Sequence, residues 1–318
     1  MYKVMLRDNM ALIAKDILEA TGKIEVTIDN NKDNSKPEVL SEIIKNFDGI
    51  GIRSGTKITP KILKNALKLK VVARAGVGVD NINIEECTNK KIVVMNAPGG
   101  NAITTAEHAI ALMMSLARNI ARGTYTLKNG TWAKKELIGV ELTGKTLGIV
   151  GLGKIGKIVA DRACGLRMKV IAADPFVTAR QAKETGAELV ELDDLYKRSD
   201  FITFHVPKLP ETKGMINAKT LSRMKKGIRL INCSRGEVID LNALYEALIK
   251  KNVAGAALDV FPVEPPDYSM PVMKLDNVVL TPHLGASTTD AQIKVAEMIA
   301  NQMAAYLLED KIINSVNF

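Results

Sequence analysis

One stretch limits what this chain can fold into more than any other. From Thr146 to Asp174 it reads TLGIVGLGKIGKIVADRACGLRMKVIAAD. The apolar run Leu147-Gly148-Ile149-Val150 predicts a buried parallel strand. It enters Gly151-x-Gly153-x-x-Gly156 with no spacer. Ile155, Ile158, Val159, Ala163 and Leu166 follow at helical spacing, and a second apolar run, Val170-Ile171-Ala172-Ala173, ends at Asp174. Strand, tight turn, helix, strand and acid, in that order, make a dinucleotide site. Gly151 permits the sharp turn, Gly153 lets the backbone approach a pyrophosphate, and Gly156 lets the helix pack on the strand. The helix N-terminus offers N–H groups and a positive dipole end to the phosphates. Asp174 can accept from both ribose hydroxyls. A 2′-phosphate there would meet a like charge, so NAD is expected over NADP.

Bulk properties exclude several classes. A chain of 318 residues suits two domains of ordinary size. Three scattered cysteines, Cys87, Cys164 and Cys233, make neither a disulfide framework nor a CxxC metal site, so no metal is expected. The N-terminal MYKVMLRDNM lacks the apolar core of a signal peptide, and no apolar run is long enough to span a bilayer. A cytoplasmic protein is expected. The formal net charge is +9, but the lysines are spread along the chain and are not interleaved with aromatics. That pattern fits solvated helix faces better than a nucleic-acid surface.

Before the glycine motif, residues 1–98 alternate strand and helix. Strands are expected at 2–6, 23–28, 49–52, 71–73 and 92–95, and helices at 12–18, 39–45 and 60–67. Such alternation means a parallel α/β sheet, which binds ligands beyond its strand C-termini. Loops 53–56 and 76–80 lie at such ends. Asn96-Ala97-Pro98-Gly99-Gly100-Asn101 reads as a hinge, followed by one long helix over 104–122 and a loop-like segment over 123–143. That segment carries Trp132, the only tryptophan, beside Lys134 and Lys135. It reads equally as plain surface or as an arm on a partner subunit. After the glycine motif, strands are expected at 189–190, 201–204, 228–231, 253–257 and 278–280, with helices at 193–198, 218–223 and 240–250. The expected fold class is therefore α/β. A doubly wound Rossmann domain covers about 99–288. A smaller α/β domain covers 1–98 and is completed by 289–318, where the helix 288–308 returns to pack on it.

The chemistry-bearing residues follow the late strands. Asn232-Cys233-Ser234-Arg235-Gly236, then Asp259 with Glu264 beyond it, then Pro282-His283-Leu284-Gly285, each close a different strand. An arginine, a carboxylate and a histidine at one sheet edge beside a hydride acceptor suggest hydroxyl oxidation. Histidine titrates near working pH at about 6.5 and can take the alcohol proton. A glutamate on its other nitrogen fixes the tautomer, and an arginine fork holds a substrate carboxylate. Singly, each residue has a plainer reading: Arg235 as a surface ion-pair residue, Glu264 as a solvated acid, His108 as a structural helix residue, His205 as a core or cofactor-contacting residue. Cys233 reads as a small buried thiol more than a nucleophile, since no base is evident beside it.

The chain resembles the D-isomer-specific 2-hydroxyacid dehydrogenases over about residues 45–310. The resemblance rests on RSGT (53–56), RAGVGVDNI (74–82), VVMNAPGGNAITTAEHAIALMMSLARNI (93–120), GVELTGKTLGIVGLGKIG (139–156), ADPF (173–176), HVPKLPET (205–212), NCSRGEVID (232–240), LDVFPVEPP (258–266) and TPHLGASTTDAQ (281–292). NAPGGN and HLGAST point to its phosphoglycerate branch. The resemblance implies a flavodoxin-like substrate domain before the Rossmann domain, and Arg235, Glu264 and His283 as the catalytic set. It implies NAD contacts at Gly151, Gly153, Lys154, Ile155, Gly156, Asp174, Val206, Pro207, Cys233, Ser234, Asp259, Gly285 and Ala286. Substrate contacts fall to Arg53, Ser54, Gly76, Val77 and Gly78. Trp132, Lys134 and Lys135 would reach the active site of a neighbouring subunit in a homodimer. Lys154 departs from the arginine usual in GLGRIG and meets a phosphate as a point charge rather than a fork. The implied reaction is oxidation of 3-phospho-D-glycerate to 3-phosphohydroxypyruvate, the first step of L-serine synthesis. Glyoxylate, hydroxypyruvate or D-lactate chemistry, or a non-enzymic NAD-sensing corepressor, are the alternatives. Longer members continue into serine-binding regulatory domains, and a sequence ending at Phe318 carries no expectation of serine control.

Overall fold

A computed structural model describes all residues, Met1–Phe318. The chain divides into two compact units: residues 1–101 with 286–318, and residues 102–285.

In the first unit the strands are β1 (Tyr2–Leu6), β2 (Ile24–Ile28), β3 (Gly49–Ile52), β4 (Val71–Arg74) and β5 (Val93–Asn96). They form one sheet in the order β2-β1-β3-β4-β5, every pair parallel. That is the flavodoxin-like order. Between them run α1 (Ile13–Glu19), α2 (Pro37–Ile44), α3 (Pro60–Leu63) and α4 (Ile84–Asn89). Both α2 and α3 open on proline, whose fixed φ and missing N–H suit a helix start. Helix α4, absent from the sequence reading, is short and is capped by the Asn83 side chain, which accepts from Glu86 N. The strand pleat sends alternate residues to opposite faces. Val4, Leu6, Val71, Ala73, Val93 and Met95 face one core, while Met5, Ile50, Ile52, Val72 and Val94 face the other.

In the second unit the long helix expected over 104–122 is two helices, α5 (Ala102–Ala117) and α6 (Ile120–Lys128). The break falls at Asn119, which takes a left-handed φ of 54°. Asparagine tolerates that conformation better than most residues, and a helix cannot continue through it. Part of the segment read as loop is therefore α6. The strands β6 (Thr146–Val150), β7 (Lys169–Ala173), β8 (Glu188–Leu189), β9 (Phe201–Phe204), β10 (Ile228–Asn232), β11 (Val253–Leu258) and β12 (Val278–Leu280) alternate with α7 (Lys154–Gly165), α8 (Ala179–Lys183), α9 (Leu192–Arg198), α10 (Ala218–Leu221) and α11 (Leu241–Ile249). The order β12-β11-β10-β9-β6-β7-β8 is parallel throughout and reverses between β6 and β9. This is a doubly wound sheet with its switch point beside the glycine motif. One face carries Leu147, Ile149, Ala172 and Phe201 against α5 and α7; the other carries Val150, Ile202, Phe204 and Leu230 against α9, α10 and α11.

The last helix, α12 (Thr289–Glu309), returns to the first unit, capped by the Thr288 hydroxyl, which accepts from Ala291 N. Its Val295, Ile299, Ala300, Met303 and Leu307 complete the core against α1 and the sheet. The tail beyond it pairs with the edge strand: Val316 N donates to Val94 O, and Val94 N donates to Asn317 Oδ1. No helix is long and apolar enough to cross a membrane. Ile299 is wholly buried. Ile299→Ala should destabilise the first unit by about 2–5 kcal/mol, read from its urea transition. A change within error would show that α12 is dispensable to that core.

Candidate functional site

The glycine loop has the form a pyrophosphate needs. Gly151 takes a left-handed φ of 90°, and a Cβ on it would lie 2.5 Å from His205 O. A Cβ on Gly156 would lie 2.2 Å from Gly151 O, so only glycine lets α7 pack on β6. Outside Gly153 there is open space, with no atom within 4 Å of a would-be Cβ. Gly153 is the N-cap of α7 and has no side chain to offer its first N–H groups. A helix end shaped this way receives an anion. Lys154, exposed, and Ile155, half-buried, begin the helix.

Asp174, at the end of β7, accepts from Leu152 N (2.7 Å) and Phe176 N (2.8 Å). It thereby ties the glycine loop to β7. Each carboxylate oxygen keeps a lone pair for a ribose hydroxyl. Val206 and Pro207 follow β9 at the same edge. These residues fit a dinucleotide.

Beyond β10, β11 and β12 the polar residues form one connected network. His283 Nδ1 and Glu264 Oε2 are 2.7 Å apart, and Phe261 N donates to Glu264 Oε1 at 3.1 Å. The hydrogen bond to Glu264 raises the pKa of His283 above its ordinary value, against desolvation and the nearby charge of Arg235. Desolvation favours a neutral Glu264, but the bonds from His283 and Phe261 outweigh it and hold its pKa low. With Nδ1 donating to a carboxylate, Nε2 is left as the proton acceptor.

His283 has a left-handed φ of 54°. Asp259, wholly buried, holds it there. Its main-chain oxygen accepts from His283 N (2.8 Å). Its carboxylate takes Leu284 N (2.7 Å), Gly285 N (2.9 Å), Thr281 Oγ1 (2.6 Å) and His108 Nε2 (3.1 Å). Desolvation opposes charge on Asp259, yet the bonds from His108, Thr281 and Leu284 keep its pKa low. His108 has the structural part expected of it, bonded to Asp259 and 3.2 Å from Thr281 Oγ1, while Asp259 itself holds the His283 loop. Cys233 comes near this pair, its ligating atom within 4.8 Å of theirs. Burial pushes the Cys233 thiol up, and the Asp259 carboxylate is already committed to protein donors. The group is built as a hydrogen-bond network.

The Arg235 loop is organised by Asn232, which the sequence reading passed over. Asn232 Oδ1 accepts from Ser234 N (3.0 Å) and Ser234 Oγ (2.8 Å), and its Nδ2 donates to Arg235 O (2.9 Å). Arg235 Nη1 donates to Ser234 O (2.8 Å). A Cβ on Gly236 would lie 1.9 Å from Phe261 C, so glycine lets this loop rest on the one leading to Glu264. His205 sits elsewhere, with Nε2 3.0 Å from Thr203 Oγ1, and burial pushes its pKa down to about 4.

In the first unit, Arg53 and Ser54 follow β3, and Gly76, Val77 and Gly78 follow the neighbouring β4. Ala97 N donates to Gly76 O (2.9 Å), and Asn96 Nδ2 donates to Val77 O (2.6 Å). Trp132, Lys134 and Lys135 stand exposed after α6.

Residues 110–285 match the family described as D-isomer specific 2-hydroxyacid dehydrogenase, NAD binding domain. A D-3-phosphoglycerate dehydrogenase of Synechocystis sp. is 46% identical over 97% of this chain and 54% of its own length. One of Methanocaldococcus jannaschii is 45% identical over 100% of this chain and 60% of its own. The chain thus spans a little over half the length of these curated relatives. Among solved structures, a Thermus thermophilus protein superposes with a TM-score of 0.89 at 30% identity, covering 99% of both chains.

With only three histidines, His283 can be followed by NMR. Glu264→Gln keeps the shape but removes the charge, so the His283 pKa should fall from its wild-type value. An unmoved titration would mean that the pair is not coupled.

Proposed function

The chain belongs to the D-isomer specific 2-hydroxyacid dehydrogenases, and from that premise we propose that it oxidises 3-phospho-D-glycerate to 3-phosphohydroxypyruvate with NAD. The observation that carries the chemistry is the 2.7 Å His283–Glu264 pair, with the Arg235 charge felt at the same ring. The substrate rests on the likeness to two proteins of that name.

Gly151, Gly153, Lys154, Ile155, Gly156 and Asp174 hold the cofactor's pyrophosphate and ribose. Val206, Pro207, Cys233, Ser234, Gly285 and Ala286 line the rest of its path, while Asp259 supports it from beneath. Bound NAD supplies the hydride acceptor. Arg235 clamps the substrate carboxylate through its two-pronged donor face. His283 Nε2 takes the C2 hydroxyl proton, and Glu264 stabilises the imidazolium that results. In the reverse direction the same imidazolium returns the proton to the keto oxygen. Arg53, Ser54 and the 76–78 backbone hold the rest of the substrate. The exposed apolar side chains Tyr125 (69%), Trp132 (79%) and Ile138 (83%) support a homodimer through that segment, with Lys134 and Lys135 offering charge to the phosphate.

The test is NADH oxidation with phosphohydroxypyruvate beside glyoxylate and hydroxypyruvate. Phosphohydroxypyruvate should be preferred by at least about tenfold in kcat/KM, as an ionic contact to phosphate requires. His283→Ala should lower kcat by about a hundredfold or more while NADH still binds. Preference for an unphosphorylated keto acid would keep the fold and the catalytic set but overturn the substrate. Full turnover by His283→Ala would remove the mechanism.

A further inference from the structure

The loop after β3 is gripped from an unexpected direction. Arg7 and Asp8 follow directly on β1, and Asp8 and Asn9 take successive left-handed φ values of 59° and 51°. Asp and Asn are the side chains that tolerate this conformation best after glycine, and the turn they make brings the Asp8 carboxylate to the neighbouring loop. Asp8 makes its contacts across to the 53–56 loop. Its Oδ2 accepts from Arg53 N (2.8 Å) and Thr56 N (3.0 Å), and its Oδ1 accepts from Thr56 Oγ1 (2.7 Å). One carboxylate therefore closes both ends of a four-residue loop whose middle, Ser54 and Gly55, is exposed. A Cβ on Gly55 would come within 3.0 Å of Asp8 Oδ1, so the loop is fitted to this carboxylate.

Arg7 backs the arrangement. It is 2% exposed, an extreme burial for arginine. Its Nε donates to the same Thr56 hydroxyl (3.2 Å), its Nη2 donates to Ser35 Oγ (2.8 Å), and it pairs with Asp29. From the other side, Asn81 Nδ2 donates to Arg53 O (2.8 Å) and Thr56 O (2.6 Å). Arg53 itself meets Asp8 through the main chain, Nη1 donating to Asp8 O at 3.4 Å. Asp8 thus orients Arg53 without drawing its guanidinium into a carboxylate ion pair.

We propose that Asp8, supported by the buried Arg7, is the positioning residue that aims Arg53 and Ser54 at the anionic substrate, and that it sets substrate affinity without touching substrate. This rests on the reading that Arg53 contacts the substrate. A misplaced anchor weakens binding of what it holds and leaves NADH binding as it was.

The experiment compares Asp8→Ala, Arg53→Ala and their double variant in the full chain. It measures kcat and KM for phosphohydroxypyruvate and the NADH Kd. Asp8→Ala should raise KM by about tenfold or more, with kcat within about threefold and NADH Kd unchanged. The double variant should lose clearly less than the product of the two single losses, because much of the effect of Asp8 passes through the Arg53 side chain. Thr56→Val, which removes only the shared hydroxyl, should raise KM in the same direction and covers the case that Asp8→Ala does not fold. A KM raised by Arg53→Ala but by neither Asp8→Ala nor Thr56→Val overturns the proposal. So does a double variant whose losses multiply. An unchanged KM in Arg53→Ala overturns instead the reading that the loop binds substrate, and the proposal with it.

Discussion

A single buried carboxylate governs the site. Asp259 lies under the sheet edge with no exposure, where an unpaired charge would be very costly. It is stabilised because it takes two backbone N–H groups, a threonine hydroxyl and an imidazole nitrogen. Those donors come from α5 and from the loop after β12, so satisfying Asp259 also fixes the loop. The fixed loop holds His283 at its left-handed φ. His283, the proposed acid–base residue, is thus placed by a residue buried beneath it, and its pKa is raised by one beside it, Glu264.

The same logic recurs at three other strand ends. Asn232 folds the Arg235 loop back on itself, Asp174 ties the glycine turn to β7, and Asp8 closes the 53–56 loop. In every case a short polar side chain at or just past a strand bonds to backbone N–H or carbonyl groups of a loop. Backbone groups that would otherwise lack partners become the means of placing functional side chains. Gly156 and Gly236 complete the pattern, since the loops approach too closely to admit a Cβ.

Much of this was legible in the sequence. The strand, glycine turn, helix and acid between Thr146 and Asp174 could be read because hydrophobic period and turn residues agree there. The central strands of both sheets, such as β3, β6, β9 and β10, could be read as apolar runs because they are buried on both faces. Helix α12 itself could be read from its amphipathic period. What escaped was set by tertiary contact. In SLARNIARG the one local sign that α5 stops is Asn119 itself, and the helix-compatible Leu116, Ala117, Arg118 and Ile120 around it mask that sign. Helix α4 is a single capped turn and a half with little periodicity to find. His108 sits in an apolar helix, and its partner Asp259 lies far along the chain, so the pair appears only once α5 packs against β11. Asn232 could have been suspected, because asparagine at a strand end commonly bonds backbone two residues on. The Asp8 grip spans β1 to β3 and leaves no local signal.

The central claim is that His283, charged through Glu264, is the one acid–base group of the reaction. The direct measurement is kcat/KM against pH in both directions for the unmodified protein. Hydroxyl oxidation needs the neutral ring, and keto reduction needs the imidazolium. The raised pKa of His283 therefore predicts that oxidation climbs and reduction falls through one shared pKa above the ordinary 6.5. Two limbs with unrelated pKa values, or a reduction rate indifferent to pH across that range, would contradict the account.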